Sequence, residues 1–333
     1  MHIEVVAELA QGFEGKPEQA RLLMKAAASA GAHAAKYQLV YADELATPDY
    51  KYYALFRTLE MSDEVWAGLA AYAQELGTRL YVDIFGARSL ALAERIGVNV
   101  VKLHGTDIAN VGFLHQVARS SVPRVLLGAG GAHADELAQA VEILAGKEVV
   151  ILLGFQAYPT PNETNQIARV RLLADRYARL GARVSIGFAD HAPPDSPLRY
   201  ALAATAIGAG ACVIEKHLTL GKAMKLEDHE SALNPDEFAE FCAVVQGCGA
   251  AWGVAADAPD FDMSDAEAGY RKVIRRHVIT SRDLPAGTRL SPADLVLKRS
   301  SADPVITNIE SAYGKTLKRA LAGNAPVQPA DIQ

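Results

Sequence analysis

The sequence is poor in cysteine, and its few thiols are badly placed for cross-linking. Only 3 cysteines occur in 333 residues, namely Cys212, Cys242 and Cys248. They cannot form a disulfide framework, and none belongs to a Cys-x-x-Cys pair of the kind that holds structural zinc. This usage is typical of a reducing compartment, so we expect a cytoplasmic protein.

Positive charge and long apolar runs are also lacking. The chain has 33 lysines and arginines against 39 acidic residues, a formal net charge of −6. No basic cluster is interleaved with aromatics, so a nucleic-acid partner is not expected. No segment approaches the roughly 18 apolar residues of a membrane helix, and the chain begins in a strand-like run without the features of a signal peptide. We therefore expect a soluble protein with no membrane partner.

What the sequence does contain is a regular alternation of short apolar runs and stretches of helical periodicity between residues 3 and 250. This alternation predicts a parallel sheet of βα units, and Pro17 and Ser62 mark the starts of two intervening helices. Eight units of this length fit one closed (β/α)8 TIM barrel, whereas a doubly wound sheet is disfavoured because no Gly-x-Gly-x-x-Gly follows the first strand. The predicted strands are Ile3–Ala10, His33–Gln38, Arg79–Phe85, Val98–Leu103, Arg124–Gly128, Val149–Gly154, Arg183–Phe188 and Ala211–His217.

The composition changes after the predicted barrel domain, residues 1–252. Residues 253–269 are rich in Ala, Asp and Pro without an apolar period, and we interpret them as a linker to a second, β-rich domain, 270–333. Its predicted elements are Val273-Ile274, a turn at Asp283-Leu-Pro-Ala-Gly287, a short helix at Ser291–Asp294 and a strand at Leu295–Lys298. A domain this small rarely supplies an independent core, so we expect support from the barrel or from a second subunit.

Polar residues end the predicted strands in unusual number. In a barrel the C-terminal strand ends converge on one mouth, and charges crowded there are unfavourable unless a ligand or metal organises them. Any one of them alone is explained more simply as a solvated or salt-bridged side chain. Their joint occurrence predicts an active site at this mouth. The residues are Glu8, Lys36, Gln38, Asp83, Lys102, His104, Asp190, His191, Glu215, Lys216 and His217.

Two histidines of this set are candidate metal ligands. His191 and His217 follow neighbouring strands, which run about 4.8 Å apart, so both imidazoles could reach one ion. A divalent cation with open positions for water, substrate oxygen and a carboxylate such as Glu8 or Asp228 would act as a Lewis acid on an aldehyde. The alternative is that both histidines only form hydrogen bonds in the mouth.

Lys36 and Lys102 are candidate ligands of an anionic substrate, because a lysine ammonium is a compact charge suited to phosphate or carboxylate. Alternatively, they form salt bridges to Glu8 or Asp83. The glycine-rich run 127–132 precedes a predicted helix and could present backbone N–H groups to an anion, although a plain tight turn is the simpler explanation.

Ordered motifs run along the whole chain. They are Ala7-Glu8-Leu9, Ala35-Lys36-Tyr37-Gln38, Leu59-Glu60-Met61-Ser62 with Trp66, Tyr158-Pro-Thr-Pro161, Gly187-Phe-Ala-Asp-His191, Glu215-Lys-His-Leu-Thr219, and Asp228-His229 followed by Ser231 and Pro235-Asp-Glu237. In order and spacing they resemble the motifs of sialic acid synthases. The C-terminal unit, through Leu297-Lys-Arg299 and Tyr313-Gly-Lys315, is similar to the antifreeze-like (SAF, β-clip) domain that follows the barrel in that family.

The resemblance implies a reaction and a set of roles. In this family phosphoenolpyruvate condenses with N-acetylmannosamine, or a related amino sugar, to a nonulosonic 2-keto acid, with Mn²⁺ or Mg²⁺ as the usual metal. The implied positions are Glu8, Gln38 and Lys102 for catalysis, Lys36, Lys102, His104 and Gly128 for the donor, Gln38, Tyr158, Asp228 and Arg299 for the acceptor, and His191 and His217 for the metal. Arg299 would come from a second chain, which implies a domain-swapped homodimer.

The chain departs from the family pattern around the donor. Gly12 and Phe13 replace family His and Asn, Gly105, Gly128 and Ala189 replace phosphate-binding hydroxyls, Asp83 replaces a threonine, and Ala157 replaces a polar residue before Tyr158. A carboxylate beside a phosphate repels it unless it is protonated or paired with a lysine. Two alternatives therefore stay open. One is the same barrel with a non-phosphorylated donor in lyase- or aldolase-like chemistry, and the other is a sugar-binding protein whose donor site has decayed.

Overall fold

The structure, a computed structural model, describes residues 1–154, 157–253 and 263–333. The chain divides into two compact units, Met1–Val254 and Ala255–Gln333. Most of the predicted linker, residues 254–262, lies outside the described residues. Among the helices described, none is both long and apolar enough to cross a membrane.

Eight parallel strands of the first unit close into a barrel in sequence order. Every predicted strand is present, with ends that differ from the prediction by at most two residues, so the predicted (β/α)8 barrel is confirmed. The strands are β1 Glu4–Ala10, β2 Ala34–Gln38, β3 Arg79–Ile84, β4 Val100–Leu103, β5 Arg124–Gly128, β6 Glu148–Gly154, β7 Val184–Asp190 and β8 Val213–His217.

Helices connect these strands, and the predicted start signals operate where they were expected. The helices are α1 Pro17–Ser29, α2 Ala42–Leu45, α3 Tyr53–Leu59, α4 Asp63–Glu75, α5 Ala87–Arg95, α6 Val111–Arg119, α7 Ala134–Ile143, α8 Ala168–Tyr177, α9 Ala201–Gly208 and α10 Pro235–Trp252. Pro17 is the first residue of α1, where its missing N–H is not needed. The hydroxyl of Ser62 accepts a hydrogen bond from the N–H of Val65 and caps α4.

Alternate residues of the strands belong to two separate apolar layers. One layer packs between the strands and the helices, where the rings of Phe13, Tyr37 and Trp66 meet edge to face. The other is a smaller cluster of Val6, Ala34, Tyr81, Val100, Leu126, Val150, Leu152 and Val213. Side chains two residues apart on a strand share a face, so the residues two positions further along these strands point into the barrel above this cluster. These positions hold most of the charged residues that were predicted at the strand ends, namely Glu8, Lys36, Asp83, Lys102 and Glu215.

A second charged group lies nearer the N-terminal ends of the strands. The carboxylate of Glu4 accepts a hydrogen bond from the hydroxyl of Tyr81 and pairs with Arg79 at 3.0 Å and Arg124 at 2.6 Å. Burial alone would raise the pKa of Glu4, but the Tyr81 hydroxyl and the Arg124 guanidinium hold it below its ordinary value. This group is a structural ion network, away from the predicted mouth.

The first described element of the second unit is a helix, in the region predicted to hold the end of the linker and the start of the β-rich domain. Residues Asp265–Ile274 form α11, and Ser264 caps it through the N–H of Glu267. The prediction that Val273 and Ile274 are part of the β-rich structure was therefore wrong. The two antiparallel strands are β9 His277–Thr280 and β10 Leu295–Lys298, and the predicted turn of helix is a 3₁₀ turn at Pro292–Asp294.

The second unit also contains an internal repeat that the sequence analysis missed. Arg282 pairs with buried Asp294, and Arg319 pairs in the same way with buried Asp331. The second set lies 37 residues after the first (282 to 319 and 294 to 331). Leu284 and Leu321, also separated by this interval, exchange backbone hydrogen bonds with each other. Each half thus holds the other in place around the small apolar core.

Candidate active site

Five charged side chains meet inside the barrel. They are Glu8, Lys36, Asp83, Lys102 and Glu215, and we call them the carboxylate cage. The ammonium of Lys36 donates to the carboxylate of Glu8 and lies 2.6 Å from Asp83 Oδ1 and 3.6 Å from Glu215 Oε2. The ammonium of Lys102 lies 2.5 Å from Glu215 Oε1 and 3.6 Å from Glu8 Oε2. All five residues are at most 7% exposed. The structure thus brings together five residues that the strand ends had predicted at the mouth. Lys36 pairs with Glu8 and Asp83, and Lys102 with Glu215 and Glu8, which is the salt-bridged arrangement that the sequence had left open as an alternative.

The cage contains more negative than positive charge. Three carboxylates face two ammonium groups, which leaves one surplus negative charge when every group is ionised. Asp83 shows the consequence of this surplus. Burial raises its pKa to about 6, and Glu8 and Glu215 add to the increase, although Lys36 and Lys102 oppose it. Burial also opposes ionisation of Glu8, but Lys36 and Lys102 outweigh it and lower the pKa of that carboxyl. For Lys36, burial is outweighed by its carboxylate neighbours, and the pKa lies well above its usual range.

Two oxygens of the cage are buried without a hydrogen-bond partner among the described residues. They are Asp83 Oδ2 and Glu215 Oε2, and each belongs to a side chain that is 1% exposed. An ionised carboxylate oxygen only accepts hydrogen bonds, so a group that satisfies these atoms must be a donor, such as water or a hydroxyl.

The two predicted metal ligands lie side by side at the mouth. The ring centroids of His191 and His217 are 5.2 Å apart, and the ring of Tyr158 contacts both at 5.9 Å and 5.7 Å. His191 Nδ1 lies 3.0 Å from the carbonyl oxygen of Ala189. Because a carbonyl oxygen cannot donate, Nδ1 carries the proton there, and Nε2 of the neutral ring carries the lone pair that a metal ligand needs.

This pair is suited to hold a divalent cation. Burial lowers the pKa of His217 to about 3 and that of His191 well below its usual value, so both imidazoles are neutral at physiological pH, as metal ligands must be. The described residues contain no group of three or more His, Cys, Asp or Glu that could hold a metal. A cation bound here would have the two imidazole nitrogens as side-chain ligands, and water or substrate oxygen would fill its other positions.

A chain of hydrogen bonds joins the predicted acceptor residues beside the histidines. The hydroxyl of Tyr158 donates to the backbone carbonyl of Asp228 at 2.5 Å, and the N–H of Gln11 donates to the Asp228 carboxylate at 3.2 Å. The side-chain amide of Gln11 donates to Gln38 Oε1 at 2.7 Å. Burial raises the pKa of Asp228 to about 6. Gln11 was not predicted from the sequence, where its only signal is a polar side chain directly after the first strand.

The predicted donor side is a narrow cavity of about 40 Å³, which is room for only a few water molecules. Its walls are Lys102, His104, Gly105, Gly128, Gly130, Leu152, Gly154, Ala189 and His191. Two backbone segments close in on each other here: a Cβ on Gly128 would lie 2.8 Å from the nitrogen of Gly105, and a Cβ on Gly105 would lie 2.5 Å from the carbonyl oxygen of Gly130. Burial lowers the pKa of His104 to about 4, so its ring is neutral.

Arg299 is the one predicted site residue in the second unit. It follows β10 and its side chain is exposed. Its proposed contact with the acyl group of an acceptor in a second chain stays a prediction.

The barrel and its mouth define a TIM-barrel enzyme with a small C-terminal β domain. Comparison with known families makes this specific: the NeuB family matches residues 23–256, and the SAF domain matches residues 275–333. The chain belongs to the NeuB family. The predicted family, the SAF domain and the assignment as a synthase-type enzyme are thereby confirmed.

Two relatives of the chain are named as synthases of nine-carbon sugar acids or their phosphates. The chain is 26% identical to N,N'-diacetyllegionaminic acid synthase of Legionella pneumophila, over 96% of this chain and 91% of that protein. It is also 26% identical to N-acetylneuraminate-9-phosphate synthase of Mus musculus, over 88% of this chain and 82% of that protein. The solved structure of a spore coat polysaccharide biosynthesis protein E from Chromobacterium violaceum matches the fold with a TM-score of 0.81 at 24% identity, covering 99% of both chains.

Proposed function

We propose that the protein condenses a three-carbon enol donor with an N-acylated amino-sugar aldehyde to give a nonulosonic 2-keto acid for carbohydrate biosynthesis. Phosphoenolpyruvate is the donor, and a sugar like N-acetylmannosamine the acceptor, that the family resemblance implies. The observation that carries the proposal is the pair of neutral histidines, His191 and His217, in contact with Tyr158 above two buried lysines.

The acceptor is proposed to bind between the histidine pair and the chain of hydrogen bonds beside it. Gln11 occupies the oxygen of the Gln38 side chain, so the Gln38 NH₂ group is available to donate to a sugar oxygen. Tyr158 is held by the carbonyl of Asp228, and the Asp228 carboxylate accepts hydrogen bonds from sugar hydroxyls. A divalent ion, Mn²⁺ or Mg²⁺, fits His191 and His217, and when bound it supplies Lewis acidity toward an aldehyde oxygen.

The donor is proposed to bind at the cage and the adjoining cavity. Lys102 lies in the cavity wall and is the nearest cation to a donor carboxylate there. Glu8 is held by both lysines and by the N–H of Ala10 at 2.9 Å, so its carboxylate is rigidly placed to orient a water or to accept a proton. Lys36 is fully buried, and its ammonium neutralises part of the negative charge of the three cage carboxylates.

We also propose a domain-swapped homodimer, in which the partner subunit's Arg299 contacts the acyl group of the acceptor. A cytoplasmic location accords with the three free thiols, Cys212, Cys242 and Cys248.

To test the proposal, the full-length protein is incubated with MnCl₂, N-acetylmannosamine and a three-carbon donor, either phosphoenolpyruvate or a non-phosphorylated donor. The products are identified by mass spectrometry. A 2-keto sugar acid is expected from the wild-type protein. His191→Ala should lose Mn²⁺ binding, measured by calorimetry, and should lose product. The matched control is His115→Ala on the exposed face of α6, which should keep both. Binding of the sugar without product under any of these conditions would instead favour a sugar-binding protein.

A further inference from the structure

A buried ion pair lies beside the two histidines of the mouth, on the outer face of the sheet. Asp190 is the last residue of β7 and precedes His191, and Lys216 precedes His217 at the end of β8. Asp190 and Lys216 are partners in the strand register, and Lys216 Nζ lies 3.2 Å from Asp190 Oδ1. The residues two positions earlier on each strand belong to the apolar layer between strands and helices, and both charged side chains are fully buried there. The pair therefore joins the two histidine-bearing strand ends.

This ion pair also holds the main chain directly after His191. Asp190 Oδ1 accepts a hydrogen bond from the N–H of Ala192 at 2.8 Å, and the ammonium of Lys216 donates to the carbonyl oxygen of Ala192 at 3.0 Å. Because both backbone groups of Ala192 are bound, a rotation of this segment would break at least one of the two hydrogen bonds. The turn that carries His191 is thus fixed to the strand that carries His217.

The carbonyl group of His191 is bound by the loops that carry the proposed acceptor residues. It accepts hydrogen bonds from the N–H of Thr160 at 2.8 Å and from the hydroxyl of Ser231 at 2.9 Å. Thr160 follows Tyr158 in one loop, and Ser231 follows Asp228 in the other. The position of His191 is therefore set by these loops on one side and by the ion pair with β8 on the other.

The ion pair is a poor source of stability by itself. Two fully buried charges carry a large desolvation cost, which one contact at 3.2 Å offsets only in part. Asp190 Oδ2 is also buried without a hydrogen-bond partner among the described residues. Replacement of a buried ion pair by apolar side chains of similar volume is often neutral or stabilising. Apolar side chains could not, however, bind the N–H and carbonyl groups of Ala192.

We propose that Asp190 and Lys216 are positioning residues of the histidine pair, and that they thereby set its affinity for a divalent cation. By fixing the turn after β7 to the end of β8, they hold the rings of His191 and His217 with centroids 5.2 Å apart. Their effect passes through the main chain of residues 190–192. The inference deepens the proposed function and rests on its metal site.

The Mn²⁺ affinity of the full-length protein, measured by calorimetry without substrate, tests the proposal. The double variant Asp190→Leu/Lys216→Met replaces the ion pair by apolar side chains of similar size, so its unfolding free energy in urea should stay close to that of the wild type. It should nevertheless bind Mn²⁺ roughly ten- to hundredfold more weakly, because the turn after β7 has lost its anchor.

Two single variants separate position from stability. Asp190→Asn is the conservative change, because its side-chain oxygen still accepts from Ala192 and Lys216. It should keep most of the Mn²⁺ affinity, although it is less stable because Lys216 has lost its counter-charge. Glu4→Gln is the matched control, since it breaks a buried ion network of the same barrel away from the mouth. It should lower stability and leave the Mn²⁺ affinity unchanged.

Wild-type Mn²⁺ affinity in the double variant would overturn the proposal, as would an equal loss of affinity in Asp190→Asn or Glu4→Gln. A metal-free crystal structure of the double variant separates the proposal from the proposed function. Displaced rings of His191 and His217 would support the positioning role, and rings still 5.2 Å apart would overturn it. An absence of Mn²⁺ binding by the wild type would refute the metal site, and the ring positions would then decide the positioning role alone.

Discussion

Replacement of Asp83 by asparagine should stabilise the protein, although it removes a partner of a buried lysine. Asparagine has nearly the same shape, and its side-chain oxygen still accepts a hydrogen bond from Lys36, which lies 2.6 Å from Asp83 Oδ1. Without Asp83 the cage holds two carboxylates and two ammonium groups and is neutral. The substitution therefore removes the surplus charge and keeps the packing.

The size of the effect follows from the pKa of Asp83. Its folded-state value of about 6 lies above the ordinary value of 3.8, so the folded protein binds this proton more tightly than the unfolded chain does. The contribution of Asp83 to the free energy of unfolding therefore falls as the pH rises from about 4 through 6. The difference between the folded and unfolded pKa of Asp83 corresponds to a loss of roughly 3 kcal/mol at neutral pH. Asp83→Asn should lack this loss.

Urea denaturation at pH 5 and pH 8, followed by the fluorescence of the fully buried Trp66, measures the difference. The gain in unfolding free energy of Asp83→Asn over the wild type should be larger at pH 8 than at pH 5, by roughly 1 to 2 kcal/mol. Equal gains at both pH values, or a loss of stability at pH 8, would refute the view that Asp83 carries the surplus charge.

Three further predictions concern other parts of the structure. Glu4→Gln should lower the unfolding free energy by roughly 2 kcal/mol at pH 7, because Arg124 keeps only Glu148 as a carboxylate partner and Arg79 loses its ion pair with Glu4. The folded-state pKa of Glu4 is lowered, so urea titration should show this deficit shrinking as the pH falls below 4.5, the ordinary pKa of the group. Ser62→Ala should reduce stability by about 1 kcal/mol through loss of the α4 cap, with Thr at this position restoring most of it. Tyr158→Phe should raise the KM for the sugar about five- to tenfold with a smaller change in kcat, because the hydrogen bond to Asp228 positions the ring; a change in kcat alone would contradict this.

The barrel itself was predictable because its signals are local. Each buried strand is a short apolar run between helices with 3.6-residue periodicity, and all eight strands were located to within two residues. The strand-end histidines were predictable for the same reason, since the end of a run such as β8 identifies His217 as a mouth residue. Val273 and Ile274 show where a local pattern fails: two β-branched residues favour a strand, but the capping box at Ser264 and Glu267 starts a helix that extends through them.

The arrangement of charges could not be obtained in this way. Lys102 and Glu215 are 113 residues apart and meet only because the barrel closes and the strand register places their ammonium and carboxylate at the same height. Gln11 likewise joins Gln38 to Asp228 only once the loop after β1 folds over the mouth. The periodicity of the buried strands therefore identified Glu8, Lys36, Asp83, Lys102 and Glu215 as mouth residues. It did not separate them from Asp190 and Lys216, which lie on the other face of β7 and β8, with Phe188 and Ile214, and pair with each other at 3.2 Å. Only the tertiary structure decided which of them neutralise one another, because burial and separation across a closed barrel set the strength of each ion pair.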